Sequence, residues 1–146
     1  MRKYLIGQVV ADAVAEFDSC SAKPRFAPTA AGTYEIYFAG TEATVQILPN
    51  ENSQSIRIKF VVMTLGSDKL AKAAQIVADE SSAGLIPFRA ETTKIGGYSY
   101  QIGIVFDSSA SFLTAEYLQT VFMEGFDNAI ACRAQIRRWS PIRNYN

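Results

Sequence analysis

The chain has 146 residues, a length that suits one domain, and its 49% hydrophobic and 12% aromatic content supplies a core without disulfide or metal staples. Lys plus Arg and Asp plus Glu both number 14, which excludes a whole-molecule field that would draw the protein to nucleic acid or to an anionic membrane. Histidine is absent, which removes Ser-His and Cys-His nucleophile pairs, and two cysteines without a C-x-x-C spacing leave no zinc site.

At the start, Leu5, Val9 and Ala13, with Ile6, Val10, Val14 and Phe17, recur at steps of three and four, while Gln8, Asp12 and Glu16 hold the other face. This spacing predicts an amphipathic helix from about Arg2 to Asp18, not the uninterrupted apolar stretch of a signal peptide. Ser19 to Gly32, with Pro24 and Pro28, reads as a connector. The period then falls to two. Tyr34, Ile36 and Phe38 form one strand, Ala43, Val45 and Ile47 a second after a turn at Gly40, and Ile56, Ile58, Phe60 and Val62 a third after the polar cluster from Pro49 to Ser53. The expected product is a meander with one apolar face.

Ser67 is placed to cap a short helix carrying Leu70, Ala73, Ala74 and Val77, stopped by Ser81, Ser82 and Gly84. A second hairpin is predicted from Leu85 to Thr93 and Tyr98 to Phe106 around Ile95-Gly96-Gly97; Pro87 lacks a donor, so its strand lies at an edge or starts with Pro87 outside the ladder. Thr114 is a cap, with Glu116 in the first turn, for a helix running toward Pro141, roughly 35 to 40 Å long at 1.5 Å per residue. The fold class is therefore α+β over residues 1–146, an antiparallel sheet in the order α-β-β-β-α-β-β-α with the helices on one face and a basic tail from about Arg133.

No pattern in the chain calls for a cofactor or a metal, and no stretch reaches the roughly 18 apolar residues of a membrane span. The sparse cysteines fit a reducing compartment, so a soluble cytoplasmic protein without membrane attachment is expected. Cys20 and Cys132 are read as free buried thiols, with a disulfide between packed terminal helices as the alternative. The acidic groups Asp79, Glu80 and Asp107 lie at element ends and read as solvated, and Gly96-Gly97 reads as a turn and not a phosphate loop.

Two surfaces stand out. The last helix is apolar on more than one face, which predicts a second buried contact; the candidate partner-binding residues are Val61, Met63, Tyr117, Phe122, Met123 and Phe126. The same helix passes from acidic (Glu116, Glu124, Asp127) to basic, so two copies laid antiparallel would complement each other as a homodimer. The alternative site is the arginine and aromatic set Arg133, Arg137, Arg138, Trp139 and Arg143, which suits nucleic acid or another anionic partner. Cations at a helix C-terminus also oppose the macrodipole, a reading that needs no ligand and makes nucleic acid the less favoured partner.

The element order, carried by GTYEIYFAGTEATVQILPNENSQSIRIKFVV and GLIPFRAETTKIGGYSYQIGIVFDSSASFLTAEYLQTVFMEGFDNAI, resembles the fold shared by type III secretion chaperones and YbjN-like proteins. The resemblance implies a small bacterial protein without catalytic residues, commonly dimeric, that holds extended segments of other proteins.

Overall fold

The computed structural model describes residues 9, 13, 25–28, 33–38, 40–49, 54–109 and 113–139. Of the predicted N-terminal helix only Val9 and Ala13 are described; both are helical, and Ala13 is fully buried in the core. The rest of that helix, and the tail beyond Trp139 with Arg143, lie outside the described residues.

Among the described residues six antiparallel strands form one sheet in the order β1-β2-β3-β4-β6-β5. They are β1 (Arg25–Pro28), β2 (Thr33–Phe38), β3 (Thr41–Pro49), β4 (Gln54–Gly66), β5 (Arg89–Gly96) and β6 (Ser99–Ser109). The meander is β2-β3-β4 and the second hairpin is β5-β6, so the α+β class and the predicted order of elements hold. One strand was not expected: β1 lies inside the stretch read as a connector and pairs with β2 from Arg25 opposite Tyr37 to Pro28 opposite Tyr34. Four residues ending in proline carry no readable alternation, and proline is tolerated there because β1 is an edge. At the opposite edge lies β5, which starts at Arg89 and leaves Leu85 to Phe88, with Pro87, outside the ladder, so both alternatives for the proline are met.

The helices α1 (Leu70–Ser81) and α2 (Ala115–Trp139) pack on one face of the sheet. Thr114 caps α2, its Oγ1 accepting from the Tyr117 amide at 3.1 Å. Ser67 does not cap α1: Ser67–Lys69 form a 3-10 turn, and neither its cap residue Gly66 nor the α1 cap Lys69 makes a side-chain capping bond. The Gln135 amide donates to Glu80, tying α2 to α1.

The core is the alternate residues of the strands, Ile36, Ala43, Val45, Ile56, Ile58, Phe60, Ile102, Ile104 and Phe106, under Leu118, Val121, Phe122, Phe126, Ala129, Cys132 and Ile136 of α2. Phe60 is its centre, with ring centroids 5.1 Å from Phe126, 5.9 Å from Phe88 and 6.5 Å from Phe122, all near edge-to-face. Gly125 lets α2 come this close: a Cβ there would stand 2.2 Å from Phe60 Cζ. Phe122 and Phe126, read from the sequence as partner-binding, are thus core residues with 0% and 1% exposure. A helix crossing so near the sheet buries a broader arc than a single stripe, which is why α2 carries apolar residues beyond one narrow face.

In β4 the pairing with β6 shifts between Val61 and Met63, a bulge that places Val62 as the extra residue. The bulge reverses the phase of everything after it. Met63 and Leu65, on the solvent face by straight counting from Phe60, pair with Ile102 and Tyr100 and pack against the core instead. Met63 is therefore a half-buried core neighbour, a correction to its reading as an outward residue.

Candidate functional site

On the face of the sheet opposite α1 and α2, charged and polar side chains alternate with the core residues. From β4 come Arg57 and Lys59, from β5 Arg89 and Glu91, from β6 Gln101 and Asp107, and from β3 Glu42, Thr44 and Gln46. Arg57 Nε donates to Asp107 Oδ1 at 2.8 Å and Arg89 Nη2 to Asp107 Oδ2 at 3.0 Å. Lys59 Nζ stands 3.5 Å from Glu91 Oε1 and donates to Thr93 Oγ1 at 3.1 Å. Val105 faces this side, yet it is fully buried; its cross-strand partners are Lys59 and Arg89, whose charged heads reach carboxylates.

Burial pushes the Asp107 carboxyl up, but the hydrogen bonds and charges of Arg57 and Arg89 outweigh it and hold the group below its ordinary value. A depressed carboxyl adds stability above its unfolded pKa of about 3.9, and that contribution fades as pH falls through the lower folded value. Because both partners are well exposed, Asp107→Asn is expected to cost only about 0.5–1 kcal/mol at pH 7. The loss should shrink below pH 4 in urea titrations; a deficit that stays constant down to pH 2 would contradict it.

The second feature is a fork in the sheet. β3 and β4 pair only as far as Ala43 opposite Phe60. Beyond that pair, among the described residues, Thr41 and Glu42 have a strand partner only in β2, and Val61 and Met63–Gly66 only in β6. The carbonyls released at the bulge are taken by α2: Arg133 Nε donates to Val62 O at 2.8 Å, and Arg133 Nη2 to Thr41 Oγ1 at 3.0 Å and Val61 O at 3.4 Å. A guanidinium stands where the next rung would be. Burial and then the neighbouring charge of Arg137 lower the Arg133 pKa, and the group remains a cation at any physiological pH.

Two hollows border the charged face and the fork. One, of about 250 Å³, lies over the charged face and is lined by Glu42, Thr44, Arg57, Lys59, Glu91 and Gln101 among others. The other, of about 410 Å³, occupies the fork between Tyr37, Gly40 and Glu42 on one wall and Met63, Arg133 and Arg137 on the other. Val61 and Glu42 border both.

The sequence-derived candidates separate accordingly. Val61 is half-buried on the helix-free face, while Tyr117 and Met123 are exposed on α2, Tyr117 with its ring edge on Phe106. Met123 and Ile130, seven residues apart, share the outer flank of α2. In the arginine set, Arg137, Arg138 and Trp139 are exposed at the end of α2, but Arg133 is half-buried and bound to the fork, so it is not a free surface cation. Tyr37, Gly40 and Glu42 were not foreseen as part of a site. The one signal for the fork was the unbroken apolar run Phe60-Val61-Val62-Met63, where strict alternation fails.

Cys132 is buried and free, its thiol pushed up to about 12 by burial, with the charge of Glu80 adding to the shift. In a Cys20→Ser background, iodoacetamide at pH 8 should leave Cys132 unmodified over hours in the native protein and alkylate it promptly in denaturant. Alkylation within minutes under native conditions would contradict this packing. Among the described residues no group of three His, Cys, Asp or Glu side chains converges as a metal site, and no helix is long and apolar enough to cross a membrane.

The chain is thus an α+β protein with one antiparallel sheet, helices on one face, and a forked, charge-lined opposite side. No protein-family model matches it, and no curated protein matches it.

Proposed function

We propose that this protein is a non-enzymatic, chaperone-like protein-binding module that holds an extended segment of another protein. The observation that carries the reading is the unpaired main chain of β4 at the fork: a strand edge beside an open hollow supplies the donors and acceptors by which extended segments add to sheets. The groove is polar and main-chain lined, unlike the apolar groove that excess helix surface alone suggests. Kinship with the YbjN-like and type III secretion chaperone fold, which the order of elements supports, and a cytoplasmic location belong to the same proposal.

The module works as a homodimer. Support comes from α2, whose exposed flank carries Met123 and Ile130 and whose charge runs from Glu116, Glu124 and Asp127 to Arg137 and Arg138, so an antiparallel second copy meets opposite charge along its length. Light scattering at several concentrations should return twice the 16.0 kDa chain mass, and Met123→Glu should return one chain mass. A wild-type monomer at all concentrations rejects the dimer. Failure to retain any unfolded polypeptide in a peptide-array screen rejects the binding reading.

A further inference from the structure

The fork shows which chemistry its occupant must bring. Val61 and Val62 give their carbonyls to Arg133, but the β3-ward main chain of Met63, Thr64 and Leu65 has no partner among the described residues. Those three residues offer roughly 10 Å of strand edge at 3.3 Å per residue. Beside them, Arg133 and Arg137 stand on successive turns of α2. Arg133 commits Nε and Nη2 to the fork, while Nη1 makes no hydrogen bond, and neither arginine meets a carboxylate among the described residues. Among the described residues Glu42 is the one acid bordering the hollow, so two guanidinium charges there face one carboxylate.

We infer that the fork is a docking site for an extended, acidic segment of a partner protein, which pairs with Met63–Leu65 as a short strand and sets a carboxylate against Arg137 and the free Nη1 of Arg133. The inference rests on the protein-binding reading and specifies its site and ligand chemistry. Main-chain pairing fixes the segment as extended, since a helix or a folded surface cannot reach the edge groups of β4. The excess cation fixes its sign, because a basic segment would bring a third positive charge into a partly desolvated hollow. A nucleic-acid phosphate could meet the arginines but has no donor and acceptor row to match the strand.

The test is an amide NMR titration of the full chain with a capped hexapeptide of alternating threonine and valine carrying one central glutamate. Counterparts carry glutamine or lysine there, and a fourth is N-methylated on alternate residues. The glutamate peptide should shift the amides of Met63, Thr64 and Leu65 and bind about tenfold tighter than the lysine peptide. N-methylation should abolish binding, and Arg137→Gln, an exposed substitution, should bring the glutamate and lysine peptides to within about twofold of each other. Equal affinity for both charges, or binding untouched by N-methylation, overturns the inference. Shifts confined to β5 overturn the fork and leave the protein-binding reading standing, whereas no binding by any peptide at millimolar concentration rejects both. Fork amides already protected in a peptide-free dimer would show that a second copy fills the site, which also overturns it.

Discussion

Arg133→Met should destabilise the protein by about 2–3 kcal/mol, which for a chain of this size lowers Tm by roughly 6–10 °C. Methionine fills a similar volume but donates nothing, so the carbonyls of Val61 and Val62 and the fully buried hydroxyl of Thr41 lose their shared partner. Leaving buried acceptors unmade costs about 1–3 kcal/mol per group when water cannot replace the bond, and less where the hollow admits water. Arg133→Lys tests the geometry separately from the charge. A single ammonium cannot span three acceptors as a planar fork does, so lysine should recover less than half of the lost stability. Urea unfolding of the three proteins measures this directly; a methionine variant within 0.5 kcal/mol of the parent, read against the same bond scale, would show that Arg133 is not what closes the fork.

Gly125→Ala should be destabilising by about 2–3 kcal/mol even though alanine is the better helix former by about 1 kcal/mol. The new methyl would sit 2.2 Å from Phe60 Cζ, 2.3 Å from Cε1 and 2.6 Å from Cε2, distances that require α2 or the ring to move. Phe60 is hemmed in by Phe88, Phe122 and Phe126, so the ring has nowhere to turn. The double variant Gly125→Ala with Phe60→Leu should be more stable than the sum of the two single losses by about 1 kcal/mol or more, since the leucine removes the clash and the new methyl fills part of the space that the ring leaves. Additive losses would mean that α2 shifts as a body and that the contact is not specific.

Most of the fold was legible because the strands in question are half-buried. Ile36, Ala43, Val45, Ile56, Ile58 and Phe60 alternate with polar partners, and that period is what burying one face of a sheet imposes. Thr114 and the acidic first turn of α2 were equally readable, since a cap is a local interaction. Edge strand β1 was not, because four residues are too few to show a period of two. Ser67 failed as a cap because a 3-10 turn intervened between it and α1.

The site was harder to read. Its parts come from β2, β3, β4 and the far end of α2, and the bulge at Val62 that creates it is hidden in a run where every residue is apolar. Sequence reasoning placed Arg133 among surface cations because four arginines follow one another without an acid. Only the register, with β4 outrunning β3 beyond Phe60, shows that one of them substitutes for a strand. The same register explains why Val61 stays on the helix-free face while Met63, which also lines the hollow, packs against the core.

The account stands on β4 presenting a free main-chain edge, and amide hydrogen exchange of the isolated chain tests that most directly. At least one amide among Met63, Thr64 and Leu65 should exchange about a hundredfold or more faster than those of Ile58 and Phe60, which are held between two strands. Uniform protection from Ile58 through Leu65 would contradict it, because the edge would then be covered and no partner strand could add there.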